Sequence, residues 1–314
     1  MGSNSILKLM LTERNIAMKI GKIFLLSSVA LMAVACQDKK DGEPTPTPGA
    51  DVCFGGELGE NGVSRTIYGD EKTGEGGAYS FPINWIKEDK VFIISPQCRE
   101  GMNKGTFTVS DYADCTKIYT NSFVKKTGTI QWGSTDADFY AIYPQHDTSD
   151  KAAYQKYTVE PVSNFSATNA TFQLHMPETQ LCSVEGTTPV MTSADMHACF
   201  MYAKETGVKN GTSPVTLQFH PLSTAIRFTL RGPSTSLATS TVTISKIRLI
   251  GPSGTALAGK FNVNLTGTTP VVTAAGENTN IVTIFAQYPN DAYLQLTNGQ
   301  EIELNAFIIP QDGL

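Results

Sequence analysis

Val215-Thr-Leu-Gln-Phe219 and, a turn later, Ile226-Arg-Phe-Thr-Leu-Arg231 decide the fold. Apolar side chains alternate with Thr216, Gln218, Arg227 and Thr229, the period of two that sets one face of a strand on a core and the other toward water. Half-buried antiparallel strands follow. Working outward through the C-terminal half, the pattern predicts strands over 260–265, 281–286, 293–296 and 301–309, separated by Gly, Pro and Asn turns. Val242 and Ile244 stand in one phase, Ile247 and Leu249 in the other. One extra residue near Ser245 or Lys246, a β-bulge, would join them in a single strand. The N-terminal half alternates less cleanly and predicts strands over 51–57, 90–95, 106–109, 129–132, 138–143, 157–159 and 171–174. No helical stripe of a dozen residues follows Cys36. Short strands with a turn signal about every ten residues argue for an all-β chain of β-sandwiches.

The body from Asp51 to Leu314 has the length of two domains on the usual prior. Lys204 to Ser213, polar and holding two glycines, is the expected cut, giving an N-terminal sandwich over 51–207 and a C-terminal one over 208–314. Charged residues are 17% and glycines number 27, a bias toward strands and turns over charged helix faces. The net charge of −5 gives no electrostatic reason to expect nucleic acid as a partner.

Ahead of the body, Ile23-Phe-Leu-Leu-Ser-Ser-Val-Ala-Leu-Met-Ala-Val-Ala35 follows Lys19 and Lys22 and ends at Cys36. A cationic start, a short apolar run, small residues and then a cysteine are the order of a bacterial lipoprotein signal. The run falls short of the roughly 20 apolar residues a spanning helix needs. Cys36 is therefore the candidate lipidation site, and residues 1–36 are an N-terminal extension plus signal, with Met18 as a candidate true start. An ordinary cleavable signal ending at Ala35 is the alternative. Residues 37–50 hold Pro44-Thr-Pro-Thr-Pro48, whose prolines favour an extended polyproline spacer between membrane and body.

Reactive chemistry is sparse. No Gly-rich phosphate loop occurs, and Gly251-Pro-Ser-Gly254 lacks the spacing of a nucleophile elbow, so Ser253 reads as a turn residue. His146, His175, His197 and His220 are scattered and read as surface or rim residues. Asp136 and Asp138 could serve a glycosidase only if two carboxylates faced each other across roughly 5 to 10 Å; among 29 acidic residues they read as solvated turn residues. Neither an enzyme nor a cofactor or metal site is expected. Of the six cysteines none forms a CxxC. Export permits disulfides, with Cys98 and Cys115 a candidate pair, and buried thiols acting as small hydrophobes are the preferred reading. Trp85 and Trp132 read as core residues.

Several motifs in order resemble the fimbrillin family, the pilins of type V fimbriae on Gram-negative gut and oral bacteria. The carrying residues are Ser64-Arg65-Thr66; Trp85 with Asp89-Lys-Val91; Phe139-Tyr-Ala-Ile-Tyr-Pro144; Val215 to Leu222 with Ala225-Ile-Arg-Phe228; Leu257-Ala-Gly259 ahead of Phe261; and Ile309-Pro-Gln311. The resemblance implies two tandem β-sandwich domains of transthyretin-like topology, lipid-anchored in the outer membrane and built into fimbriae for adhesion and biofilm formation. It implies other fimbrillin subunits as partners by strand exchange, and an extracellular arginine-specific protease that cuts between Arg65 and Thr66 and releases the first strand. The family continues past its Pro-Gln motif into further strands, so the end at Gln311-Asp-Gly-Leu314 implies a truncated C-terminal domain, the preferred reading, or a variant that accepts a donor strand without offering one. The competing expectation is a surface lipoprotein that binds glycans through a β-sandwich module. That role needs exposed aromatic platforms, and only Trp85 and Trp132 are available as tryptophans.

Overall fold

A computed structural model describes residues 48–58, 72–73, 79–80, 85, 89–109, 120–145, 159–162, 165–184, 192–233, 241–287 and 294–310. Their first strands are β1 (Phe54–Leu58), β2 (Lys72–Thr73), β3 (Tyr79–Ser80), β4 (Lys90–Ile94), β5 (Asn103–Val109), β6 (Thr120–Ile130) and β7 (Ala137–Tyr143). Next come β8 (Glu160–Pro161), β9 (Thr171–Met176), β10 (Thr179–Val184), β11 (Thr192–Ser193), β12 (Met201–Val208), β13 (Val215–Pro221) and β14 (Thr224–Arg231). The last are β15 (Val242–Ile244), β16 (Ile247–Ile250), β17 (Gly259–Asn264), β18 (Val271–Ala274), β19 (Ile281–Gln287), β20 (Leu294–Leu296) and β21 (Glu301–Ile308). A 3-10 turn at Met196–Ala198 is the one helical element among the described residues. The chain is all-β, as its alternation predicts.

Seven strands close a barrel in the order β1-β13-β12-β7-β4-β5-β6, with β6 pairing back onto β1. Every pairing in it is antiparallel except β1 with β13. Phe54, Trp85, Ile93, Trp132, Phe139 and Leu217 are among the side chains that fill it. Four further sheets, β18-β17-β9-β8, β11-β10-β19-β16, β14-β21 and β15-β20, enclose a second core in a sandwich-like arrangement, and β2 pairs with β3 separately.

One barrel wall belongs to both cores. On β4 and β7, Val91, Ile93, Phe139 and Ala141 point into the barrel, while Phe92, Ile94, Tyr140 and Ile142 pack outward against Phe172, Phe261 and their neighbours. Burial on both faces turns these strands into continuous apolar runs, which is why their period of two is hard to see in sequence. Tyr140, buried there, has its phenol held above the ordinary range by burial first and by Asp138 second.

Two local expectations are corrected. Val242 to Ile250 is not one bulged strand: β15 pairs with β20 and β16 with β19, in different sheets, so the phase change near Ser245 marks a change of sheet. Lys204 to Ser213 is not a linker. Its first residues lie in β12, and Thr212 N–H donates to Lys209 C=O at 3.0 Å in the turn that carries the chain into β13. Polar side chains reflect the solvent-facing end of a hairpin there. Strands from both sides of residue 208 also share sheets, since β13 pairs with β1 while β9 and β10 pair with β17 and β19.

Candidate functional site

The seam around β1 is where this fold could open. Upstream of the strand, Trp132 N–H donates to Ala50 C=O at 3.0 Å, Val52 N–H to Ile130 C=O at 2.9 Å, and Gln131 Nε2 to Asp51 Oδ1 at 2.9 Å. On the opposite edge Val215 N–H donates to Cys53 C=O at 2.8 Å. β1 then runs between two partners, with Phe54 level with Phe123 of β6 and Val215 of β13, and Gly56 level with Asn121 and Leu217. Both of its edges carry a ladder.

Two described side chains at the seam are buried. Val52 and Phe54 enter the core, at 5% and 2% exposure. Phe54 meets Phe107 and Phe139 edge to face, with centroids 4.9 and 5.4 Å away. Gly55 and Gly56 bring no side chain. Two buried apolar groups at about 1.5 to 3 kcal/mol each give about 3 to 6 kcal/mol before ordering costs. The floor beneath them is apolar: Val215, Leu217 and Phe219 are buried on β13.

Of the residues singled out in sequence, Cys36, Arg65, Thr66, Cys115 and His146 lie outside the described residues. Trp85 and Trp132 are 3% and 2% exposed inside the barrel, and Trp85 packs edge-on against Tyr143 and Phe219 at 5.2 and 5.0 Å. Asp136 is engaged by Lys209 Nζ at 2.7 Å, which with Asn210 N–H holds its carboxyl below the ordinary range. Asp138 accepts from Gln97 Nε2 at 2.9 Å and from Gly207 N–H at 2.8 Å. Both carboxylates therefore anchor turns. Ser253 sits in the turn closed by Thr255 N–H to Pro252 C=O at 3.2 Å. Asp195 Oδ1 accepts from His197 N–H and lies 2.8 Å from His197 Nδ1, while Oδ2 accepts from Leu181 N–H at 3.0 Å, so the acid caps the 3-10 turn. Cys98, Cys182 and Cys199 are buried, and Cys53 is exposed on β1's approach.

Sequence gave no signal for two buried glutamines that stand in for strands. Gln180 Nε2 donates to Phe307 C=O and Gln180 Oε1 accepts from Phe307 N–H, both at 2.7 Å. Gln145 makes the same two-way contact with Val159 at 3.1 and 2.8 Å. Each reproduces one rung of a ladder, satisfying backbone groups that would otherwise be buried without partners.

No family model and no curated protein matches the sequence. Among solved structures, the chain is similar to a candidate cell adhesion protein from Bacteroides uniformis, with 14% identity and a TM-score of 0.41 over 83% of this chain and 76% of that one. It is also similar to a fimbrial assembly protein from Parabacteroides distasonis, with 10% identity and a TM-score of 0.32 over 76% and 90%. A fimbrial protein from Bacteroides ovatus has 10% identity and a TM-score of 0.27 over 82% of this chain and 54% of that one. At these values no residue role carries over.

Proposed function

We propose that this chain is a subunit of a bacterial surface fimbrium, anchored to the outer membrane through lipid on Cys36 and serving adhesion rather than catalysis. An extracellular arginine-specific protease cuts after Arg65, and β1 leaves with the spacer and anchor. The observation that carries this reading is the position of β1, an N-terminal strand laddered on both edges that fills its core with only Val52 and Phe54 among described side chains. Its departure would leave two facing strand edges, β6 and β13, over an apolar floor. Such a slot accepts a strand of another subunit, whose backbone supplies affinity and whose alternate side chains supply specificity. The motif order from Ser64 to Gln311 supports the same reading. The glycan-binding alternative draws no support from Trp85 or Trp132, whose rings are turned into the core.

The test is limited digestion of the full chain with an arginine-specific protease, followed by N-terminal sequencing and electrophoresis of unheated samples. A body beginning at Thr66 that forms detergent-resistant ladders is expected. A different new terminus, or loss of β1 without any gain in strand uptake, would refute the proposal.

A further inference from the structure

At the mouth of the β1 seam a polar relay runs beside the ladder. Asp51 and Gln131 form an isolated antiparallel bridge, and Gln131 Nε2 donates to Asp51 Oδ1 at 2.9 Å. At the other end of the same amide, Gln131 Oε1 accepts from Arg99 Nη1 at 3.2 Å. The glutamine backbone is tied down as well, since Arg99 N–H donates to Gln131 C=O at 3.0 Å and Gln131 N–H to Met102 C=O at 2.8 Å. An amide has one donor end and one acceptor end, and a guanidinium only donates. Arg99 therefore claims Oε1 and turns Nε2 toward the strand. Its charge strengthens the preference for an anionic acceptor there.

Three residues further, about 10 Å along an extended chain, Phe54 enters the core between Phe107 and Phe139, and Trp132 backs Phe139 at 5.5 Å. Gly56 follows on the same face and is buried. The carboxylate of Asp51 and the ring of Phe54 thus lie on opposite faces of one strand. A slip of one residue turns the ring outward. A slip of two carries the carboxylate about 7 Å from Gln131, and a reversed strand brings the ring before the carboxylate. Arg99, Gln131, Phe107 and Phe139 all follow residue 65, so a slot vacated by β1 keeps both halves of this recognition.

We propose that the slot selects its occupant by these two points: an extended segment of another subunit that carries a carboxylate three residues ahead of an aromatic side chain, has a small residue two places after it, and runs parallel to β13. This rests on the strand-uptake reading above and adds to it the chemistry, direction and register of the incoming segment. The ring supplies most of the affinity, because the relay is solvent-exposed and exposed charges contribute little. The relay supplies direction and register.

Two measurements on the full chain test this. In the intact chain, Asp51→Lys and Arg99→Glu are each expected to lower the urea midpoint, and the double variant to recover at least about half of the summed loss. For uptake, a sequence-specific protease site inserted between Glu60 and Asn61 nicks the chain without recourse to Arg65. A labelled peptide of residues 50–58 with Cys53→Ser is then added, and its binding is read by anisotropy and by electrophoresis of unheated samples. Phe54→Ala in the peptide is expected to weaken uptake at least about tenfold, and Asp51→Lys about threefold. Arg99→Glu in the chain puts an acceptor where the donor stood, so the amide turns over and offers Oε1; the Asp51→Lys peptide is then expected to bind better than its parent. High salt is expected to shrink the Asp51 preference and leave the Phe54 preference unchanged. Equal uptake of all peptides, an Arg99→Glu chain with the parent's preference, or additive losses in the double variant would each overturn the proposal. Uptake of no peptide would sink the strand-uptake reading and this proposal with it, whereas uptake without preference would sink this proposal alone.

Discussion

Gln180 joins elements that no strand pairing joins among the described residues, because its amide reaches from β10 to the Phe307 backbone on β21. Gln180→Leu fills similar space but strands a buried N–H and C=O, at a cost of about 1 to 3 kcal/mol for each group left unsatisfied. Urea unfolding should show a lower midpoint with an unchanged slope. Cys199 makes a second residue-scale case. Burial, partly offset by Ser223 and reinforced by Asp89, pushes its thiol from 9.0 up to about 12. The folded chain therefore keeps the proton that the unfolded chain gives up above pH of about 9. That contribution is fully present below pH 9 and is lost as pH rises toward 12. The unfolding midpoint should fall over that window, and Cys199→Ala should flatten the fall. Thiol labelling of the native chain at neutral pH should mark Cys53 and spare Cys199, which peptide mapping can read.

At the scale of elements, β1 and its approach are held by two ladders and, among the described side chains, by Val52 and Phe54. Phe54→Ala removes the ring that sits between Phe107 and Phe139 and should cost about 3 to 5 kcal/mol by urea titration. Strands with one face on a core were legible in sequence. β9 and β17 alternate throughout and β13 as far as Phe219, because each meets a core on one side only. β4 and β7 were located but their alternation was hidden, since a core lies on each side of them. β10 and β12 were missed: Gln180 is a buried polar position inside β10, and the end of β12 is a solvent-facing hairpin arm with a register shift between Glu205 and Val208. The seam itself could be placed on 51–57 from sequence, but not its partners. Parallel pairing of β1 with β13 joins residues far apart in the chain, and no local pattern encodes it.

For the whole molecule, the shared wall of β4 and β7 and the mixed pairings of β9 with β17 and β10 with β19 tie the two cores together. Trp85 and Trp132 both report on the barrel, whereas far-ultraviolet dichroism reports on every strand. The two signals should trace one coincident urea transition; separate midpoints would show that the cores unfold independently. β1 also has a consequence for biogenesis. Synthesised amino end first, it waits for β6 and then, much later, for β13, so the last rungs to zip are those of the earliest segment to appear. Barrel closure is thus the most non-local step of maturation and the slowest to be rewarded. A nascent chain stalled ahead of Val215 would present its opening strand half-clasped, within reach of any passing chaperone or sister molecule.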